Sequence, residues 1–219
     1  QVARELDVEL MRLDRNYGFA IAVNQGILQC QTPWVAILNN DIVLSPDWLL
    51  RMSDVESKSD YLGGKLLQQS DPSRIDGGFD LISRSGLAWR AGHNQPDGPQ
   101  WNQPRSVCII PLTCALFRRN VFDRAGKLDE RFGSYLEDVD LGLRCVAAGL
   151  QGHYVPSAVA WHAGSATLGA WSAEMVRLLS RNQVLITRKY LKGMPVWPKI
   201  VGQTLWGLLA LKRGTGLAW

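Results

Sequence analysis

The sequence predicts an α/β fold, with a sheet flanked by helices and a C-terminal helical appendage. Its 219 residues are 46% hydrophobic, which is enough to bury the core of one globular domain. Short apolar runs typical of strands alternate with longer runs typical of helices, as layered α/β folds require. No internal repeat or low-complexity segment interrupts this alternation.

The first elements are predicted from hydrophobic runs and helix-start signals. Residues 8–13 predict a strand, Phe19–Gln29 a helix and Trp34–Leu38 a buried strand that ends at a polar loop. A second helix is expected from Ser45, because serine is a good N-cap and Pro46 suits the first helical position. The predicted order is therefore strand, helix, strand, loop and helix.

The rest of the chain begins with a loop-rich segment and then returns to regular structure. Residues 70–105 are rich in Gly, Pro, Asp and Asn, which favour irregular loops around short strands. After them the sequence predicts a short helix ending near Gly126, a helix in the second half of residues 128–151, a strand over residues 154–161 and a long helix over residues 171–192. Loop-rich segments of this kind often face a substrate.

Basic residues are concentrated at the C-terminal end. Residues 1–162 hold 16 Lys and Arg against 19 Asp and Glu, whereas residues 163–219 hold eight against Glu174 alone. The same region has four tryptophans, and its most apolar run, residues 200–211, is shorter than the ~20 residues of a membrane-spanning helix. We expect either peripheral contact with an anionic membrane surface or a helix packed on its own domain with a solvated basic face. Binding to nucleic acid is not expected, because RNP-type aromatic motifs and zinc-finger spacings are absent.

The cysteines indicate the compartment. They are far apart, lie in apolar sequence and form no CxxC pair; they are Cys30, Cys108, Cys114 and Cys145. Buried thiols in a reducing environment are the expected interpretation. This predicts a cytoplasmic location, with peripheral contact at the inner face of the cytoplasmic membrane.

The LNND motif, residues 38–41, brings polar side chains to the end of a buried strand. Open α/β sheets bind ligands at this edge. Mg²⁺ and Mn²⁺ take oxygen ligands, typically one or two of them from carboxylates, so Asp41 is a candidate metal ligand. Taken alone, the motif is more typical of an Asx turn.

The YLEDVD segment crowds three acids, Glu137, Asp138 and Asp140, at the start of a predicted helix. The positive helix end stabilises carboxylates, so a solvated acidic turn is the simplest interpretation. Three acids exceed what a cap needs, however, and general-base catalysis requires a carboxylate held near an acceptor hydroxyl.

Two further segments carry weaker signals. His162 ends a predicted strand in WHAGSAT; a lone histidine is more often structural than a ligand, but imidazole can complete a metal site begun by carboxylates. Asn16 and Gly18 lead into the helix that carries Asn24, and backbone amides at such a helix start can meet phosphate or ribose oxygens. The alternative is an ordinary N-cap, with Asn24 as an exposed polar residue.

Five segments, taken in order, resemble family 2 glycosyltransferases of the GT-A fold, particularly bacterial rhamnosyltransferase-like and galactofuranosyltransferase-like members. They are NYGFAIAVNQGI, VAILNND, CALFRRNVFDRAGKLDERF, YLEDVDLGLR and HAGSAT, and the match covers most of residues 8–192. The resemblance implies a mixed, mostly parallel sheet flanked by helices. It also implies a GT-A-like domain over residues 1–170 and a basic, Trp-rich helical extension over residues 171–219.

The resemblance implies roles for residues around the donor. Asp41 would bind a divalent metal, Mg²⁺ or Mn²⁺, that bridges the donor diphosphate, with Asn39 or Asn40 near the nucleotide or sugar. His162 matches a histidine that completes the metal site in some members. The stretch beside the nucleotide is matched by Asn16, Gly18 and Asn24.

The resemblance also implies a mechanism. Asp138 stands where these enzymes place their inverting base, and Glu137 would neighbour the acceptor. The expected reaction is an inverting single displacement from a nucleotide-sugar donor to a glycan or lipid-linked acceptor, in cell-wall or polysaccharide biosynthesis. Rhamnose or a related sugar is the group expected to move.

The chain departs from the family pattern at three places. Family members begin with a strand that carries a VDN-like acidic motif, and nothing before Val8 could serve as that strand, so part of the donor pocket is expected to be missing. Residues 112–114, Leu-Thr-Cys, replace a small Gly-Ala pair at the floor of the sugar pocket. The final LKRGTGLAW resembles an interrupted C-terminus, so truncation at both ends is expected.

Two functions from other classes are the alternatives. A noncatalytic nucleotide-binding or scaffold module would result from a degenerate site, but Asp41, Asp138 and His162 are retained together. A sugar-nucleotidyltransferase would share the layered fold and the need for metal, but a Gly-rich loop bearing Arg or Lys is absent. The predicted enzyme is therefore a metal-dependent glycosyltransferase.

Overall fold

The structure is a computed structural model that describes residues 8–55, 59–164, 171–193 and 195–215. Its helices are α1 (Phe19–Gln29), α2 (Trp48–Ser53), α3 (Asn120–Arg124), α4 (Glu137–Ala147), α5 (Ala173–Tyr190) and α6 (Val196–Lys212). Its strands are β1 (Trp34–Leu38), β2 (Ile42–Leu44), β3 (Tyr61–Gln68), β4 (Ile75–Gly77), β5 (Asp80–Ile82), β6 (Ala88–Arg90), β7 (Arg105–Val107), β8 (Cys114–Arg118) and β9 (Gly152–His162).

One mixed sheet forms the centre of the fold. Its strands run in the order β1–β8–β3–β9–β2, with β4 paired to β3 and β7 paired to β9. β3 and β9 are parallel, whereas the other ladders of this sheet are antiparallel. A mixed sheet flanked by helices is therefore confirmed, but mostly parallel pairing is wrong for the described strands. The cause is β8, which runs antiparallel between β1 and β3 and separates two strands that point the same way.

The core occupies both faces of this sheet, because side chains alternate between the faces of a strand. On β8, Ala115 and Phe117 face the layer of α1, α3 and α4, while Cys114 and Leu116 face α2. Phe117 stacks on Tyr61 of β3, with the ring centroids 5.7 Å apart. Each large apolar side chain buried in this way contributes roughly 1.5–3 kcal/mol. The two layers hold the strands in place, including β2, which follows Asp41, and β9, which ends at His162.

A bulge between β3 and β9 depends on a glycine. The register of this ladder shifts between Gly64 and Lys65. A Cβ atom on Gly64 would lie 2.2 Å from the carbonyl oxygen of Ala158, so the two backbones meet where no side chain fits. Beyond the bulge Gln68 pairs with His162, which brings the ends of both strands to one edge of the sheet.

Most long elements lie where the sequence predicts them, and two predictions near the N-terminal side are wrong. α1, β1, β9 and α5 agree with prediction to within two residues. Residues 8–18 form no helix or strand, since Val8 and Leu10 are exposed and no described strand pairs with them. The helix expected from Ser45 begins at Trp48, because residues 45–47 form a turn in which the Trp48 N–H donates to the Ser45 carbonyl at 3.0 Å.

The cysteines are only partly as expected. All four are free thiols; Cys114 and Cys145 are buried, and Cys30 is half-buried. Burial is wrong for Cys108, which is exposed because it follows the short outer strand β7.

α5 is fastened to the sheet-bearing part of the chain. Ile186 is fully buried beside Phe132. The side-chain amide of Asn182 donates to the carbonyls of Phe132, Ser134 and Tyr135 at 3.0, 2.8 and 2.6 Å. α5 therefore packs on the domain, and none of the described helices is long and apolar enough to cross a membrane. The predicted boundary at residue 170 lies outside the described residues and stays a prediction.

Candidate active site

Strand pairing brings three polar side chains together at one edge of the sheet. β2 pairs with β9 so that Ile42 lies opposite His162, which places Asp41 beside the end of β9. The Ala163 N–H donates to the Asp41 carbonyl at 3.0 Å and fixes this loop. β4 joins the sheet through β3, which carries Asp76 to the other side of His162. The histidine is thus held between two aspartates from separate segments of the chain.

The distances define the arrangement around His162. Its Nδ1 lies 2.9 Å from Oδ2 of Asp76, and its Nε2 lies 3.4 Å from Oδ2 of Asp41. The His162 side chain is 10% exposed, that of Asp76 7% and that of Asp41 19%, so Asp41 is the member nearest solvent.

The protonation of Asp76 determines which ring nitrogen of His162 carries a hydrogen. Burial by itself raises the pKa of Asp76, but the hydrogen bond from His162 and the charge of Arg90 outweigh burial and bring that pKa below its ordinary value. Asp76 is therefore an ionised acceptor, and Nδ1 of His162 is its donor. Nε2 of His162 then faces Oδ2 of Asp41, and either a proton on Nε2 or a cation bound by both side chains would satisfy the two atoms.

Asp41 also has an unsatisfied oxygen. Its Oδ1 is buried and forms no hydrogen bond with the described residues, and leaving such an atom unpaired is costly. A divalent cation would satisfy both this oxygen and Nε2 of His162. Among the described residues no group of three or more His, Cys, Asp or Glu could hold a metal ion, so the protein would supply only part of the coordination. Mg²⁺ usually takes the rest from water and substrate phosphates.

Arg90 connects this metal-binding candidate to a second acidic group. It ends β6, directly opposite Asp80 on β5. Its Nη1 donates to Asp76 at 3.2 Å, and its Nε lies 3.5 Å from Oδ1 of Asp80. Its Nη2 donates to the hydroxyl of Thr113 at 3.4 Å, and the Thr113 carbonyl accepts from the Asn39 N–H at 2.9 Å. One guanidinium therefore ties the β5–β6 hairpin to the LNND loop.

The second acidic group consists of Asp80, Asp138 and Glu137. Burial raises the pKa of Asp80 to about 7, with Asp138 adding to the shift and Arg90 opposing it. Burial also raises the pKa of Asp138, while Arg90 and a hydrogen bond with Asp80 limit the rise. The pKa of Glu137 is raised well above its ordinary value by burial and by the neighbouring Asp138. Asp80 can thus donate to an ionised Asp138, whose raised pKa makes it a stronger base than an exposed aspartate.

The start of α4 fixes Asp138 through a strained turn. Tyr135 and Leu136 have φ of 69° and 65°, in the left-handed region that non-glycine residues seldom occupy. Such strain persists where surrounding structure imposes it and is found at functional sites. The Asp138 Oδ1 then accepts from the Val139 N–H at 2.8 Å. The Asp138 side chain also forms a hydrogen bond with Asp80 of β5, so it lies against the hairpin.

Asp140 has a structural role, unlike its two neighbours. It is fully buried and accepts from Arg144 at 2.9 Å, from the Tyr190 hydroxyl at 2.6 Å and from Lys189. Lys189 and Tyr190 belong to α5, so this carboxylate joins α4 to the C-terminal helices. Of the three acids in the YLEDVD segment, Asp140 therefore connects α4 to α5, and Glu137 and Asp138 belong to the candidate site.

The residues predicted to lie beside the nucleotide are spread over different surroundings. Asn16 accepts from the Gly18 N–H at 2.9 Å in an Asx turn just before α1, whose N-cap Gly18 receives no side-chain cap. Asn24 is buried and not exposed: its amide donates to the Leu128 carbonyl and to Glu130, and its oxygen accepts from the Leu128 N–H. Its polar groups are occupied within the fold, so we leave it out of the candidate site. Asn39 is half-buried and Asn40 is exposed, both directly before Asp41.

Asp76, Asp80 and Arg90 were missed by sequence reasoning. All three lie within residues 70–105, where glycine and proline predicted irregular loops. Their strands are three residues long, too short for a hydrophobic period to be visible. The available signal was the pair of aspartates around two glycines in IDGGFD, residues 75–80, because short polar runs among glycines are common at sites.

Solved structures place this fold in a known class. The chain is similar to GalNAc-T7, solved with UDP, GalNAc and Mn²⁺, with a TM-score of 0.65 and 14% identity over 88% of this chain and 40% of that chain. It is also similar to the mannosyltransferase PcManGT from Pyrobaculum calidifontis, solved with GDP-Man and Mn²⁺, with a TM-score of 0.53 and 13% identity over 99% of this chain and 58% of that one. The fold is that of the GT-A glycosyltransferases.

The family follows from the sequence match. The model of glycosyl transferase family 2 matches residues 1–126, and the chain belongs to this family. It is 28% identical to an N-acetylglucosaminyl-diphospho-decaprenol L-rhamnosyltransferase of Mycobacterium tuberculosis, over 96% of this chain and 76% of that protein. The protein is thus an enzyme, a glycosyltransferase, and the predicted class is confirmed.

Proposed function

We propose that the chain transfers rhamnose or a related sugar from a nucleoside-diphosphate donor to a lipid-linked or glycan acceptor by an inverting single displacement. The observation that carries this proposal is the two-part site: an unsatisfied Asp41 oxygen beside His162, and an Asp138 carboxylate of raised pKa, joined through Arg90. The name of the mycobacterial relative, which specifies a rhamnosyl group and a decaprenol-linked acceptor, supports the choice of sugar and acceptor.

The donor half contains Asp41 and His162, with Asn39 and Asn40 beside them. Asp41 and His162 would hold Mg²⁺ or Mn²⁺, which when bound neutralises the charge that develops on the departing diphosphate. Asp76 keeps His162 in the tautomer that leaves Nε2 free, because its carboxylate accepts from Nδ1. The Mn²⁺ and nucleotides present in the two solved neighbours support this assignment.

The acceptor half contains Asp138, with Glu137 and Asp80 around it. Asp138 takes the proton from the acceptor hydroxyl, whose oxygen forms a bond to the anomeric carbon of the sugar. The bond from that carbon to the diphosphate oxygen breaks on the opposite face, and the nucleoside diphosphate leaves with the electron pair. Burial of Asp138 favours this proton transfer, because its raised pKa makes it a stronger base than an exposed aspartate.

Product analysis tests the reaction class. The chain is incubated with dTDP-, UDP- or GDP-sugars, a polyprenyl-diphosphate N-acetylglucosamine acceptor, and Mg²⁺ or Mn²⁺. We expect free nucleoside diphosphate and an elongated lipid, with release that requires the cation and is lost in Asp41→Asn. The exposed Asp54 is the matched control, and Asp54→Asn should keep the activity of the unmodified chain.

Two other outcomes would contradict the proposal. Release of pyrophosphate would indicate a sugar-nucleotidyltransferase. Binding of a nucleotide without turnover of any donor would indicate a noncatalytic module.

A further inference from the structure

The last helix of the described chain presents its apolar side chains to the outside. Large hydrophobic residues of α6 that are more than half exposed recur along its length: Val196, Trp197, Ile200, Leu205, Leu208 and Leu211. Val201 and Leu209 on the same side are 48% and 40% exposed. An apolar strip of this size rarely remains in contact with water, so its natural neighbour is not water.

The inward face of α6 is small and polar, and it fixes how the helix is seated. Gly202 and Gly207 are buried. A Cβ atom on Gly202 would lie 2.7 Å from Cβ of Ser85, so the helix backbone rests directly on the β5–β6 turn. Gln203 donates to Gln183 at 3.0 Å, and Trp206 donates to the Ser180 hydroxyl at 2.9 Å, both on α5. A rotation that buried the apolar face would break both hydrogen bonds.

The charges around α6 indicate what kind of surface its apolar face contacts. Arg188, Lys192, Lys212 and Arg213 are exposed around the two ends of α6. The one acid between residues 171 and 215 is Glu174, which is paired with Arg177. A second copy of this chain would bring like charges together at its rim, whereas an anionic lipid surface would neutralise them. Apolar residues and tryptophan flanked by Lys and Arg are the composition of helices that lie in a membrane interface.

We propose that the outward face of α6 lies on the surface of an anionic lipid bilayer, with its apolar side chains among the upper acyl chains and its flanking cations among the headgroups. The helix rests on the turn of the hairpin that carries Asp80 and Arg90, so the bilayer would adjoin the acceptor half of the site. Binding to lipid does not depend on sugar transfer, and the two proposals can therefore fail separately.

Vesicle sedimentation of the 219-residue chain tests this surface. The vesicles are phosphatidylcholine alone, or phosphatidylcholine mixed with phosphatidylglycerol. We expect strong binding to the anionic vesicles, weak binding to the neutral ones, and release as salt is raised. Ile200→Ser with Leu208→Ser should lower the partition coefficient roughly tenfold for each residue, because each side chain loses its burial in lipid.

The chain offers a matched control on another helix. Leu49 and Leu50 of α2 are 63% and 61% exposed, and Leu49→Ser with Leu50→Ser should leave binding unchanged. Lys192→Gln with Lys212→Gln leaves the apolar face intact and should weaken binding to anionic vesicles alone, about fivefold for each charge. Circular dichroism establishes that each variant is folded.

Three results would overturn the proposal. The first is equal binding of the unmodified chain to neutral and anionic vesicles. The second is unchanged binding of both the serine and the glutamine variants. The third is a dimer in sedimentation velocity, without lipid, that the Ile200 and Leu208 substitutions dissociate, because a second copy would then be the neighbour of this face.

Discussion

His162 is held by a carboxylate on one side and presents a free nitrogen on the other. Its Nδ1 is fixed by Asp76 at 2.9 Å, and its Nε2 faces Asp41 at 3.4 Å. Histidines that bind metals commonly donate their second ring nitrogen to a carboxylate, which fixes the tautomer and the ring orientation. Asp76 therefore has a positioning role in the proposed donor half. The sequence alone did not predict this role.

Asp80 acts on the proposed base through one hydrogen bond. The hydrogen bond with Asp80 lowers the pKa of Asp138, although burial keeps that pKa above its ordinary value. Asp80→Ala removes the donor, so the pKa of Asp138 should rise further. Because Asp138 must be ionised to accept a proton, the acid limb of the pH profile of kcat/KM should move to higher pH. Asp80→Asn retains an N–H donor and is the control that should keep the limb near its original position.

The outcome for Asp80 is measured by initial rates over a pH series. A limb that stays in place in Asp80→Ala would show that this carboxyl does not act on the base. A limb that moves equally in the alanine and asparagine variants would assign the effect to the loss of the Asp80 carboxyl group itself and not to the loss of a hydrogen-bond donor.

At the scale of elements, the position of Asp138 depends on two supports of α4, the turn before it and the contacts with α5. The left-handed residues Tyr135 and Leu136 direct its first turn, and Asp140 binds it to Lys189 and Tyr190 of α5. α5 in turn fastens to the loop before α4 through Asn182. α5 therefore holds α4 and the loop before it in place.

Asp140→Ala should destabilise the fold strongly. The substitution leaves Arg144 and Lys189 without their shared buried carboxylate, which typically costs about 3 kcal/mol or more, with partial exposure of both cations favouring the lower end. Equilibrium unfolding in urea measures the loss. Asp123, an exposed acid on α3, is the control, and Asp123→Ala should change the free energy of unfolding by less than about 0.5 kcal/mol. A similar small change for Asp140→Ala would contradict the anchoring role.

The elements also show how far the sequence could be interpreted. β1 and β9 were predictable because apolar runs lead into polar residues, and they carry Asp41 and His162 to one edge. β8 has the same apolar character as a parallel strand, and its antiparallel direction depends on contacts distant in sequence. The β5–β6 hairpin was not predictable, because three-residue strands among glycines resemble a loop.

At the scale of the whole molecule, the candidate site and α6 lie on the same β5–β6 hairpin. The strands of this hairpin hold Arg90 between Asp76 and Asp80, and its turn supports Gly202 of α6. On the proposed membrane surface, a lipid-linked acceptor would approach the molecule on the side of this hairpin. The basic, Trp-rich composition of the C-terminal region left open a membrane surface or packing on the domain, and the structure shows which face of α6 is apolar and outward.

The joint placement of metal and base candidates could be inferred only in outline. Asp41 and Asp138 were recognised because each lies in a motif at the end or start of a regular element. The contacts that connect them run through His162, Asp76 and Arg90. These contacts depend on the register of the sheet and on the position of the β5–β6 hairpin, which local sequence does not determine. The proposed reaction depends on these contacts, because Arg90 and Asp80 set the charge around Asp138.

The most direct measurement compares sugar transfer and donor binding in Asp138→Asn. Asparagine keeps the shape of the side chain but cannot accept the proton, so transfer should fall by about 10²–10⁴-fold. The affinity for the nucleotide sugar with Mn²⁺, measured by calorimetry, should be unchanged, because Asp41 and His162 are intact. Asp123→Asn should leave both quantities as in the unmodified chain. Transfer by Asp138→Asn at the unmodified rate would contradict the assignment of Asp138 as the base.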